Sequence, residues 1–95
     1  MIEQNAKGLR VAGPMLIANA SALLEAGRGF LSAGALEVEL DLSAVEETDS
    51  SALSVIFGLL RSARERGVTM RIAHPPASMV SQAALYGVSE SLPLA

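Results

Sequence analysis

Residues 36–42 alternate: Leu36, Val38, Leu40 and Leu42 are apolar, with Glu37, Glu39 and Asp41 between them. A period of two is the pattern of a half-buried strand. Further on the period changes. Leu53, Ile56, Phe57, Leu60 and Ala63 recur at the spacing of one helical face, widened by Val55 and Leu59. The predicted helix opens on Asp49-Ser50-Ser51. It ends at Gly67, where the chain needs a residue tolerant of positive φ. Arg61, Arg64 and Arg66 crowd its last turns, where cations suit the negative end of the dipole. Between strand and helix, residues 43–48 read as a short acidic loop. It delivers three small polar side chains to a helix N-terminus.

The flanking segments repeat the alternation. Residues 1–7 are polar, at best an irregular edge strand. Leu9 and Val11 flank Arg10 in a short strand over residues 8–13, expected to stop at Gly13-Pro14. A helix follows over residues 17–31. Ala20, Leu23, Leu24, Gly27 and Leu31 form its apolar stripe, and Asn19, Glu25 and Arg28 face outward. Gly27 and Gly29 weaken its last turns, since each costs ~1 kcal/mol against alanine. Residues 32–34 are a loop. Val68, Met70 and Ile72 alternate with Thr69 and Arg71 in a third strand over residues 68–73, ended by His74-Pro75-Pro76. Pro76 suits the first turn of a last helix, with Met79, Val80, Ala83 and Leu85 inward and Gly87 as its stop. Val88, Leu92 and Leu94 are placed to pack back on the core. The alternation of strand and helix predicts an α/β domain over residues 1–95. Its sheet is at least partly parallel, with right-handed crossovers.

Composition narrows the function classes. Hydrophobic residues are 51% and charged residues 18%, which argues for a folded core. Aromatic residues are 3% and the net charge is -3, so neither base stacking nor a basic footprint supports nucleic-acid binding. The absence of cysteine excludes disulfides and thiol chemistry and fits a reducing compartment. No apolar run approaches the ~18–20 residues of a membrane-spanning helix, so direct membrane insertion is not expected. Ala18-Asn19-Ala20 resembles a leader-cleavage site, but Glu3 and Pro14 interrupt the leader pattern.

Catalysis finds little support. His74 is the single histidine and reads as a solvated loop residue. No cluster has metal-ligand spacing, and no glycine-rich loop cradles a nucleotide phosphate, so no cofactor is expected. Glu46, Glu47 and Asp49 read as an exposed acidic loop rather than convergent acid–base groups. Asp49-Ser50-Ser51 is more informative. Asp and Ser are favoured N-caps, but one cap explains one residue of the three. A serine exposed there is also a plausible phosphoacceptor, near unpaired N–H groups and the positive dipole end. The residues alone leave cap and docking surface both open.

The stretch Asp41-Leu42-Ser43-Ala44-Val45 followed by Asp49-Ser50-Ser51-Ala52-Leu53 resembles the central segment of the STAS domain family. That family is named for sulphate transporters and anti-sigma factor antagonists. Gly13 with the helix after it, Leu85-Tyr86-Gly87-Val88 and Leu92-Pro93-Leu94 extend the resemblance over nearly the whole chain. The family motif often has glycine where this chain has Ala52. The resemblance implies a SpoIIAA-like mixed sheet of about four strands, with three or so helices packed on it. It also implies a non-enzymatic, cytoplasmic protein-binding role. One branch is similar to the small STAS subunit of Mla-type phospholipid ABC transporters, which binds the ATPase subunit at the inner membrane. The other is similar to anti-sigma factor antagonists, whose anti-sigma kinase phosphorylates the residue after the motif's Asp. Both branches make Ser50 the candidate docking residue or phosphoacceptor. Thr48, Asp49, Ser51, Ala52, Leu53, Ser54 and Arg61 are the expected partner-binding surface around it.

Overall fold

A computed structural model describes residues 1–31 and 36–95. The loop expected at residues 32–34 lies outside them. Four strands form one sheet in the order β1 (Ile2–Asn5), β2 (Gly8–Met15), β3 (Glu37–Thr48) and β4 (Thr69–Ala73). β1 pairs antiparallel with β2, and β2–β3 and β3–β4 are parallel. The helices are α1 (Ala20–Leu31), α2 (Ser51–Glu65) and α3 (Ala77–Leu85). A single 3-10 turn, Ile17–Asn19, leads into α1, and another, Ser89–Ser91, follows α3.

Sequential strand order decides where the helices go. The β2–α1–β3 and β3–α2–β4 crossovers advance in the same direction across the sheet. Right-handed connections therefore place both helices on one face. The burial pattern agrees. Leu9, Val11, Met15, Val38, Leu40, Leu42, Met70 and Ile72 point into the core. Arg10, Glu37, Thr69 and Arg71 on the opposite face are exposed. That open face sets opposite charges against each other, Arg10 beside Asp41 and Glu39 beside Arg71, a favourable cross-strand arrangement.

The edge strand at the N-terminus, the strand–helix alternation and the stops at Gly67 and Gly87 (φ 71° and 70°) agree with the sequence pattern. Several boundaries do not. β2 runs through Gly13 and Pro14 to Met15 rather than stopping there. By that point β1 no longer pairs with it, its last partner being Val11, so the missing proline N–H breaks no ladder on that side. The pairing with β3 shifts register between Gly13 and Met15, and Gly13 takes a φ of 90°. β3 correspondingly continues to Thr48, so residues 43–48 are strand and not loop. Leu36 lies before the strand and is exposed.

The helices also differ in detail. The buried side of α2 is rotated toward Ala52, Val55, Ile56, Leu59 and Ser62, leaving Phe57 and Leu60 half-buried. On α3, Met79 and Ala83 are buried, but Val80 and Leu85 are exposed. After α3 the chain returns to the sheet. Ile72 donates its N–H to the Pro93 carbonyl, and the Ala95 N–H is donated to the Ile72 carbonyl, each at 2.8 Å. This buries Leu92, while Leu94 stays half exposed.

Candidate functional site

The site is built at the carboxyl ends of the parallel strands β2 and β3, where open α/β sheets commonly place ligands. Asp49 follows the last residue of β3. One carboxylate oxygen accepts the Ser51 N–H at 2.8 Å, which satisfies an otherwise unpaired donor in the first turn of α2. The other accepts the Ile17 N–H at 2.9 Å, from the turn that leads into α1. One side chain thus fixes the starts of two helices to one strand end. The Ile17 N–H first, and the Ser51 N–H after it, hold the Asp49 carboxyl below its ordinary value of 3.8. Asn19 completes the turn. Its side-chain oxygen accepts the Leu16 N–H at 2.8 Å, and its amide donates to the Pro14 carbonyl at 2.7 Å. Asn19 therefore does structural work across the turn instead of simply facing outward.

Ser50 is the residue these bonds present. It occupies the N-cap position of α2, with φ −60° and ψ −20°, and its hydroxyl makes no cap hydrogen bond. It is exposed. Capping is done by Asp49, so the Ser50 hydroxyl is left to solvent or a partner. Ser54, one turn further on, is exposed on the same side. Thr48 is half-buried, its hydroxyl 2.6 Å from that of Ser78, which ties the end of β3 to the first turn of α3. Ala52 is fully buried and Leu53 is 5% exposed, so these two shape the site mainly from beneath.

Over the outer side of α2 runs an open groove of about 620 Å³. Of the residues expected at the docking surface, Ser50, Ser51, Leu53, Ser54 and Arg61 line it together. Asp49 lies beside it in the chain, and Thr48 and Ala52 are not in its lining. The structure adds Leu24 and Arg28 from α1, Phe57 and Gly58 from α2, and Tyr86 and Val88 after α3. A smaller hollow shares Phe57, Arg61 and Val88 and carries the depression on to Leu60 and Arg64.

Arg28 was expected to face outward. Instead its Nε donates to the Ser62 hydroxyl at 3.0 Å across the α1–α2 seam, and one terminal nitrogen lies 3.7 Å from Glu25. Ser62 is buried, so this bond satisfies a polar group inside the seam. The sequence held one signal for the groove. Ser50, Ser54, Gly58 and Arg61 recur at helical spacing opposite the apolar stripe. The contributions of Arg28 and Tyr86 depend on tertiary packing and had none. Ile17 was also missed. It is 76% exposed, and its backbone is fastened to Asp49, so an exposed apolar residue is tied to the same strand end.

Residues 2–94 match the family described as Mlab, STAS domain, and the chain belongs to that family. A relative from Haemophilus influenzae, the intermembrane phospholipid transport system binding protein MlaB, is 33% identical over 64% of this chain. The alignment spans 61% of that relative's own length. An anti-sigma factor antagonist from Mycobacterium paratuberculosis shares the fold with a TM-score of 0.78 and 20% identity, over 99% of this chain and 81% of that one. The Bacillus cell fate determinant SpoIIAA in its phosphorylated form matches with a TM-score of 0.70 and 12% identity, over 100% of this chain and 89% of that one. The four-stranded mixed sheet with three helices is thus the fold of these STAS proteins. Among the described residues, no helix is long and apolar enough to cross a membrane, and no cluster of three His, Asp or Glu side chains is arranged for a metal.

Proposed function

We propose that this chain is a non-enzymatic subunit of a phospholipid-transporting ABC complex. It docks on the cytoplasmic ATPase and supports its assembly and activity, which places it at the inner membrane through that complex. The Haemophilus relative named for intermembrane phospholipid transport supports the transporter branch. The observation that carries the docking surface is the presentation of Ser50. It is exposed, free of a capping role, and set on a strand end that Asp49 fastens to two helix starts. Such a surface loses little conformational freedom on binding, the usual advantage of a preorganised site. The contact runs over residues 48–54 and on to Arg61.

The test is affinity purification of the tagged chain from its native host, with mass spectrometry of the co-purifying proteins. The reading expects an ABC ATPase together with its membrane permease. A second reading, an anti-sigma factor antagonist, is favoured by one feature. The free Ser50 hydroxyl directly after Asp49 is accessible to a kinase. Recovery of a small anti-sigma kinase, with a phosphate-sized mass gain on Ser50 after incubation with that kinase and ATP, would establish it instead.

A further inference from the structure

The groove over α2 has a chemical bias that the docking reading does not require. Its lining holds two arginines, Arg28 and Arg61, and no carboxylate. This is notable on a chain with 10 acidic and 7 basic residues. The two cations are held differently. Arg28 is anchored by Ser62, half covered, and has Glu25 3.7 Å from one terminal nitrogen, while still lining the groove. Arg61 is exposed and, among the described residues, makes no ion pair or side-chain hydrogen bond. The lining also holds apolar surface from Leu24, Phe57, Tyr86 and Val88. Tyr86 is 59% exposed, although aromatic side chains are favoured contact residues at interfaces.

We propose that this groove receives an acidic segment of the partner, with its carboxylates on Arg28 and Arg61 and its apolar side chains against Leu24, Phe57 and Tyr86. The inference rests on the docking reading above and adds the chemistry of the partner. Arginine is suited to this role because its planar fork takes a carboxylate with two parallel bonds. Arg28 is already oriented by Ser62, so pairing costs it little side-chain freedom. An anionic membrane surface fits less well. It calls for a broad basic patch, whereas here two cations share the groove with apolar side chains on a chain of net charge -3.

The test uses the purified ATPase subunit of the phospholipid transporter from the same organism. Its affinity is measured for the wild-type chain, Arg61→Glu and Arg61→Lys. Arg61 has no structural partner among the described residues, and equal urea midpoints would verify that the variants fold. The expected result is a loss of about tenfold or more for Arg61→Glu, with a smaller loss for Arg61→Lys. Because the chain has no cysteine, Ser54→Cys carrying a photocrosslinker labels whatever lies over the groove. The labelled peptide should be rich in Asp and Glu beside apolar residues. Wild-type binding with Arg61→Glu unchanged, or crosslinks to a basic segment, would overturn this inference and leave the docking reading standing. Failure of the wild-type chain to bind the ATPase would overturn both. Binding of phosphatidylglycerol vesicles that is lost in Arg61→Glu while ATPase affinity is unchanged would reassign the groove to lipid.

Discussion

Leu59 of α2 fills the space that a side chain on Gly27 of α1 would occupy. The contact has a counterpart a few residues away, where Leu24 of α1 lies over Gly58 of α2. Two leucines thus sit in two glycine gaps, bringing the helices close enough for Arg28 to reach Ser62. A Cβ at residue 27 would collide with the side chain of Leu59, which is itself 1% exposed and packed in the core. Gly27→Ala should therefore destabilise the fold by ~1–3 kcal/mol from overpacking, despite the ~1 kcal/mol that alanine gains in helix propensity. Gly29→Ala is the contrasting case. Its Cβ would meet nothing within 4 Å among the described residues, so the propensity gain should stand and raise stability by ~0.5–1 kcal/mol. Urea denaturation of the pair checks both signs.

The core makes a second prediction. Ile56 is fully buried and Leu53 is 5% exposed. Truncating either to alanine should cost ~2–5 kcal/mol. Phe57→Ala and Leu60→Ala, on the half-buried flank, should cost less, although periodicity alone would rank all four together. Equal losses across the four in chemical denaturation would contradict the rotated face of α2.

These examples show where the sequence was legible. Period-two runs at Leu9 to Val11, Leu36 to Leu42 and Val68 to Ile72 marked three strands, because one face of each strand is buried and the other is wet, although Leu36 itself falls outside its strand and is exposed. Gly67 and Gly87 marked helix ends, because the backbone there has positive φ. The end of β3 was not legible. Beyond Asp41 it has lost β4 as a neighbour, so Ala44-Val45-Glu46-Glu47 shows no alternation, yet β2 still pairs with it up to Thr48. Gly13-Pro14 looked like a stop because the register shift that accommodates it is a property of two strands, not one. At the site, the Asp49-Ser50-Ser51 motif was plain. The division of labour was not, since it depends on Ile17, 32 residues away in sequence, donating to Asp49.

Asp49 also makes the stability respond to pH. Its folded pKa is lowered from 3.8, chiefly by the Ile17 N–H. Asp41 is lowered likewise, chiefly by the Ser43 N–H at 2.9 Å. A carboxylate with a depressed folded pKa binds fewer protons folded than unfolded near that pH, so it contributes stability that is present above 3.8 and lost as pH falls through the folded value. Stability should therefore be flat from neutral pH down to about pH 5 as far as these groups are concerned, and then fall. Asp49→Asn should be less stable at neutral pH and show a shallower acid limb. Thermal melts of both proteins from pH 7 to pH 3 would test this, and parallel curves would mean that Asp49 does not hold the two helix starts together.

Ser50→Asp separates folding from docking. Ser50 is exposed and makes no capping bond, and aspartate is itself a favoured N-cap. Stability should change by no more than ~0.5 kcal/mol. Binding should respond much more. The new carboxylate would stand at one end of the groove whose cations we assign to the partner's acidic side chains. It would repel that segment. The loss of ATPase affinity should reach about tenfold, equivalent to ~1.4 kcal/mol. Ser50→Ala adds no charge and should bind almost as well as the wild type. If both variants lose affinity equally, the hydroxyl itself makes the contact. If only Ser50→Asp loses it, charge at this position is the control, and a phosphate there, with ~1.5–2 negative charges, would release the partner more completely than aspartate does.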